Sequence, residues 1–507
     1  MSTKVTIKRL ATGVPGLDGL LGGGLPEFSF NVLAGAPGCG KTTLAHQMMF
    51  TLATPERPAL YVTVLGEPPL KMMRYQQQFD FFDGAKLQKS VHFVDLTDAT
   101  LAGDLDALLR RIVAEVEARH AAFVFVDSFR SLVLSSRRDG TPSRDEHLFV
   151  QQLGVLMTSW QATTFLLGEF SELDSNPVFS VADGLIWLRQ SVQHNSMVRK
   201  MEIMKMRGQP TLPGLHTFRI SAAGTHVFGP AIPPPDLVAP AKGEAAAAPS
   251  SSRLTMGVPH LDDMLGGGLP RGHSLLVAGP SGSGKSLLAA AFLAEGARCG
   301  EFGVIAAFEQ SLHRSSSHPL CELINSGRVG LVDSRAPDLS IDEVLLLLTT
   351  EIRRLGASRV VIDSLSGFEL VLAPTFRSEF RESLAGMVSA LAVTGVSVLM
   401  TSELEDRYTD LRFSPYGSAF MTDSIIVQRY IEIESRLLRV MAVVKVRASA
   451  HSNELRQFII DDGGIRIGNR IVDREGLLGG RPRGKLDSLV PAGVTRHVES
   501  ATPRVSA

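Results

Sequence analysis

Two octapeptides in this 507-residue chain have the residue types and spacing to hold a polyphosphate. Gly35-Ala36-Pro37-Gly38-Cys39-Gly40-Lys41-Thr42 and Gly279-Pro280-Ser281-Gly282-Ser283-Gly284-Lys285-Ser286 both fit GxxxxGK[ST], and each stands between an apolar run and a helical pattern. In that setting Gly35, Gly38 and Gly40, with Gly279, Gly282 and Gly284, let backbone N–H groups converge on phosphate oxygens. The start of the following helix adds positive potential. Lys41 and Lys285 are placed to reach the outer phosphates, and the hydroxyls of Thr42 and Ser286 to ligate Mg²⁺, with Thr43 beside them in the cradle. The expected ligands are ATP and Mg²⁺.

Carboxylates follow at the ends of later apolar runs. Asp127 closes FVFVDS and Asp363 closes VVIDS. A carboxylate at the C-terminal end of a buried strand beside such a loop suits the hold on Mg²⁺ and its water. Hydrolysis also needs a group that orients or activates the attacking water. Glu309, in FEQS just after a strand, takes that role in the second copy. In the first copy VTVLGEPP leaves Glu67, one position later, behind Leu65-Gly66.

These landmarks recur because the chain is duplicated. ATGVPGLDGLLGGGLP and TMGVPHLDDMLGGGLPRG precede the two loops. Pro15 and Pro259, like Lys41 and Lys285, are 244 residues apart, while Asp127 and Asp363 are separated by 236 and Lys205 and Lys445 by 240. A period this long means tandem domains. The proline- and alanine-rich stretch from Gly229 to Ser252 reads as a linker. The expected organisation is a first domain at 1–228, a linker at 229–252, a second domain at 253–468 and a flexible tail at 469–507. Within each copy near-continuous apolar strands (FNVLAG, ALYVTV, VHFVDL, FVFVDS, TTFLLGE) alternate with helical patterns such as LDALLRRIVAEVEARH. That alternation predicts an α/β fold, two tandem P-loop domains each built on a mostly parallel sheet covered by helices on both faces.

Composition narrows the remaining classes. With 51 Lys plus Arg against 52 Asp plus Glu, the net charge is −1, not that of a generic polyanion binder. Cys39, Cys299 and Cys321 form no CxxC pair, which argues against a disulfide framework or a zinc site. No signal peptide follows Met1 and no run approaches the ~20 apolar residues of a membrane span, so a soluble cytoplasmic protein is expected.

The tandem arrangement, the GVPxLDxxLGGGLP lead-in, both phosphate loops, and KMRG (Lys205 to Gly208) with KVRA (Lys445 to Ala448) resemble the KaiC family. The likeness spans about 8–228 and 253–468. It implies RecA-like domains in a double-ring homohexamer that hydrolyses ATP at subunit interfaces, and partners such as KaiB-like signalling proteins. It also implies that Lys205 and Arg207, and Lys445 and Arg447, reach the nucleotide of the neighbouring subunit. MEIMKMRG and MAVVKVRA read independently as alternating strands, which put the two cations of each pair on one side.

The chain departs from the family pattern at two places. Leu65-Gly66 replaces a pair of glutamates in the first copy, whereas Glu309-Gln310 keeps one carboxylate in the second. The family's adjacent Ser-Thr phosphoacceptors align with Ala419 and Phe420, neither of which can accept a phosphate. The dual phosphorylation switch is therefore expected to be absent, unless Ser418, Thr422 or Ser424 serves off register. Two other readings share the fold. One is a RecA-like motor on DNA, which would need cationic or aromatic channel loops that the sequence does not show. The other is a serine/threonine autokinase.

Overall fold

The computed structural model describes residues 7–64, 69–97, 105–128, 148, 151–156, 161–170, 176, 178–193, 196–229, 252–308, 319–332, 339–372, 374–377, 380–404, 421–472, 474–475 and 483–484. The chain separates into two compact units, the bulk of them Met1–Ala231 and Ile232–Leu372 with Phe376–Ala507.

The first unit is built on strands β1 (Phe30–Gly35), β2 (Ala59–Thr63), β3 (Val91–Asp95), β4 (Phe123–Asp127), β5 (Thr163–Gly168), β6 (Gly184–Gln193), β7 (Ser196–Met206), β8 (Leu215–Ser221) and β9 (Gly224–Phe228). They form one sheet in the order β9-β8-β7-β6-β1-β5-β4-β2-β3. From β3 to β6 all pairings are parallel, and β7 to β9 are added antiparallel. The second unit has β10 (Ser274–Gly279), β11 (Gly303–Ala307), β12 (Val329–Val332), β13 (Arg359–Asp363), β14 (Ser397–Glu403), β15 (Ser424–Ile433), β16 (Arg436–Val446), β17 (Arg456–Asp461) and β18 (Gly464–Arg470). Its order, β18-β17-β16-β15-β10-β14-β13-β11-β12, is the same topology. Both copies are therefore α/β units with a P-loop strand in mid-sheet, as the tandem pattern predicts.

Apolar strands without polar alternation follow from burial on both faces. In β1, Val32 and Ala34 join one core with Leu60, Val62, Val124 and Val126, while Leu33 points into the other with Leu44, Tyr61 and Phe125. Helices α1 (Lys41–Leu52) and α2 (Leu105–Arg119) belong to opposite faces, since Leu44 and Met48 enter the second of these cores and Leu108 and Ile112 the first. In the second unit α3 (Lys285–Arg298), α4 (Ile341–Leu355) and α5 (Phe380–Val393) are the principal helices. The Ser340 hydroxyl caps α4 by accepting from the Glu343 amide at 3.2 Å, and Gly356 ends it in the left-handed conformation at φ 63°. The lead-in glycines Gly22, Gly23 and Gly24 all have positive φ, and they turn the chain so that Leu25–Pro26 pairs with Arg9–Leu10.

Arg359 is the largest fully buried side chain of the second unit, 1% exposed. Its guanidinium donates to Glu301 Oε2 at 2.6 Å and to the carbonyls of Thr255 and Phe292 at 2.8 Å, and lies over the Phe292 ring. This ties the lead-in, α3 and β13 together.

Candidate nucleotide sites

Each phosphate loop leaves the carboxyl end of its unit's central strand, where ligands bind in open parallel sheets. Gly40 and Gly284, the last loop residues before α1 and α3, have φ of 107° and 98°. A Cβ there would lie 2.6 Å from Ile220 Cδ1 and 2.7 Å from Ile460 Cδ1, methyl ends that can shift, so it is the left-handed backbone that disfavours a larger residue. Lys41, 8% exposed, donates from Nζ to the Gly35 and Ala36 carbonyls at 2.9 Å. Lys285 Nζ does the same to Gly279 and Pro280 at 2.9 and 2.8 Å. Cys39 lies beneath the first loop, where burial pushes its thiol up and Lys41, 3.8 Å away, opposes the shift.

In the first unit Gly38, Gly40, Lys41, Thr42, Thr43 and Asp127 line one cavity of about 450 Å³, the size range of small-ligand sites. Thr42 Oγ1 donates to Asp127 Oδ2 at 3.1 Å, bringing the two candidate metal-holding groups together. The donor set fits Mg²⁺, which takes one or two protein oxygens and completes its shell with phosphates and water. Among the described residues no cluster of three or more His, Cys, Asp or Glu offers a fuller metal cage.

Asp127 is held by a residue that sequence reasoning missed. The Tyr61 hydroxyl, on β2, donates to the same Oδ2 at 2.6 Å. Tyr61 is itself wedged against the buried His46 of α1, ring centroids 4.5 Å apart, and against Phe93 and Phe125. Burial among these rings lowers the His46 imidazole to about 4, with the Gln76 side chain offsetting only part of the effect. In the second unit the position of Tyr61 belongs to Ile305, and Asp363 Oδ1 instead accepts from Thr401 on β14. The peptide bonds after both aspartates are cis. Ser286 opens α3 where Thr42 opens α1. Three more unforeseen residues, Ser128, Glu169 and Arg199, line the first cavity.

The paired cations lie elsewhere. Lys205 Nζ donates to the Phe179 and Ser180 carbonyls at 3.2 Å, and Arg207 pairs with Asp183 at 3.1 Å while also reaching Ser180 O. Arg447 pairs with Asp423 at 3.1 Å, and Lys445 donates to Thr422 O at 2.6 Å. Asp183 in turn accepts from the Phe30 amide, and Asp423 from the Ser274 amide and hydroxyl. Each pair thus shares one side, as alternation predicts, but stands at the amino end of the P-loop strand. Arg207 is level with Phe30, five residues and about 17 Å of strand before Gly35. Burial, and then the neighbouring arginine, lowers the pKa of Lys205 and of Lys445.

Glu67 and Glu309 lie outside the described residues, as do Ser418, Ala419 and Phe420. Thr422 and Ser424 are described, and both are fully buried. No helix among the described residues is long and apolar enough to cross a membrane.

Comparison with known proteins agrees with this geometry. The family model described as ATPase: KaiC matches residues 10–231 and 254–471, one match per unit. The circadian clock oscillator protein KaiC of Picosynechococcus sp. is 27% identical, the alignment covering 94% of this chain and 92% of the relative. The circadian clock protein KaiC3 of Synechocystis sp. is 28% identical over 94% of this chain and 95% of its own. The KaiC of Rippkaea orientalis is 26% identical over 95% and 92%.

Proposed function

Because the chain belongs to the KaiC ATPase family, we propose that it binds and hydrolyses Mg·ATP at both P-loops, in rings where each cleft is completed by the next copy. The observation that carries the reading is the first cavity, where Lys41, Thr42, Thr43 and Asp127 converge from the loop, α1 and β4. Loop amides and Lys41 bind the phosphates and screen the charge that develops during transfer. Thr42 and Asp127 hold Mg²⁺, which when bound neutralises phosphate charge; Ser286 and Asp363 do so in the second unit. Water activation by Glu309 and Glu67 belongs to the same proposal.

The distance between a P-loop and its own unit's paired cations supports completion by a neighbour. Arg207 and Arg447 stand about 17 Å of strand before their own loops, and Lys205 and Lys445, about 10 Å before them, donate to carbonyls at the amino end, so a second copy is better placed to present them to a cleft. The relatives' clock-protein names suggest a signalling output, in which ATP state governs binding of partners of the KaiB kind. Fully buried Thr422 and Ser424 favour ATP hydrolysis over self-phosphorylation as that output.

The test is calorimetry with Mg·ATP on the full chain, paired with size measurement in its presence. Native protein should take up nucleotide at two classes of cleft and enlarge. Lys41→Ala and Lys285→Ala should each lose one class. Absence of uptake by folded native protein would overturn the assignment.

A further inference from the structure

We propose that Glu169 and Glu403 are additional catalytic carboxylates, one per cleft, that orient the attacking water and receive its proton. This rests on the ATP-hydrolysing function proposed above. Glu169 follows β5, the strand paired in parallel with the P-loop strand, and Gly168 stands opposite Ala34, so Glu169 emerges beside Gly35 at the start of the loop. It lines the same cavity as Lys41, Thr42, Asp127 and Ser128. Leu167, two residues earlier and therefore on the same face, packs with Leu33, Leu44 and Ala45, which is the face of the P-loop helix.

The second unit repeats this placement. Glu403 ends β14 directly opposite Gly279, the first residue of the second loop. Thr401, two residues earlier, binds Asp363 and so points toward the candidate metal group. Of the seven residues in TTFLLGE and SVLMTSE, aligned at a separation of 234, the glutamate alone is identical. The residue has changed at every other position, while the carboxylate at the mouth of the loop has not. In the first copy, where Leu65-Gly66 displaces the other carboxylate by one position, Glu169 supplies an acceptor from the opposite side of β4.

In the step assigned to it, the water oxygen forms a bond to the γ-phosphorus as the bond from that phosphorus to the β,γ-bridging oxygen breaks. The electron pair leaves on the β-phosphate of ADP, and the water proton passes to the carboxylate and then to solvent. Products are ADP, inorganic phosphate and one proton.

The full-length Glu169→Gln/Glu403→Gln double variant tests this. Phosphate release should fall roughly 10²-fold, the scale of general-base loss, with calorimetric Mg·ATP affinity kept within about threefold. The Glu169→Asp/Glu403→Asp counterpart, which keeps both carboxylates, should retain more of the native rate than the Gln variant. Turnover within about twofold of native overturns the inference. A rate loss matched by lost Mg·ATP affinity also overturns it, assigning the pair to metal holding or structure. Both results leave the nucleotide-site assignment standing, whereas failure of native protein to bind Mg·ATP removes both.

Discussion

The buried His46 makes the first unit acid-sensitive in a way that can be isolated. Its imidazole is held at about 4 by burial, against an ordinary value of 6.5. A depressed basic group leaves the unfolded chain as the better proton binder. Its contribution to stability is therefore complete above pH ~6.5 and is lost as pH falls toward ~4. Between pH 7 and pH 5 the linkage relation gives a loss of about 2 kcal/mol. His92 and His216 are also depressed by burial and add to the native slope, so the diagnostic quantity is a difference. The variant His46→Met fills the site with a flexible apolar chain that does not titrate. Both tryptophans, Trp160 and Trp187, belong to the first unit, so urea unfolding followed by tryptophan fluorescence reports that unit alone. The fall in stability from pH 7 to pH 5 should be about 2 kcal/mol smaller in the variant than in native protein. Equal falls, within ~0.5 kcal/mol, would refute the argument that this ring is buried uncharged.

Other substitutions follow from the same geometry. Tyr61→Phe removes one of the donors to Asp127 Oδ2 and should cost the first unit about 1.5–3 kcal/mol by the same fluorescence assay, with weaker Mg²⁺ dependence of nucleotide binding at that cleft only. Gly40→Ala should abolish calorimetric binding at the first cleft and Gly284→Ala at the second, each at an intrinsic backbone cost of about 1–2 kcal/mol, with Ile220 or Ile460 shifting to make room. Arg359→Met leaves the Thr255 and Phe292 carbonyls without their buried donor and Glu301 with Arg271 alone, and should destabilise the second unit by about 1–3 kcal/mol. Hydrogen exchange of β13 peptides measures that loss, and unchanged protection would count against it.

The elements that carry short-range signals were legible from sequence. Gly40 and Lys41 announce a loop because the motif is contiguous, and Asp127 and Asp363 because each ends an apolar run. The sheet alternation was equally plain, since burial on both faces leaves Asn31 as the one polar side chain of β1 and the terminal Asp127 as that of β4. Contacts across strands were not. Tyr61 sits in ALYVT as one more core aromatic, and nothing local reveals that the register of β2 on β4 brings its hydroxyl to Asp127. Thr401 is hidden in SVLMTSE for the same reason. Glu169 and Glu403 close TTFLLGE and SVLMTSE with no motif around them, and only comparing the two copies residue by residue singles them out. The end of the sheet at which Lys205 and Arg207 stand depends on strand order, which periodicity does not encode.

If a neighbouring copy completes each cleft as proposed, the opposite placement of loop and cations gives every unit a socket at one end of its central strand and a plug at the other. Any linear row of copies ends with one socket unfilled and one plug unused. Closing the row on itself would remove both ends at once, so a contact that finished each cleft would also reward cyclisation over endless growth, provided the turn per copy divides a full circle. Chemistry and assembly would then be inseparable: a subunit outside such a circle would be an enzyme lacking part of its machinery.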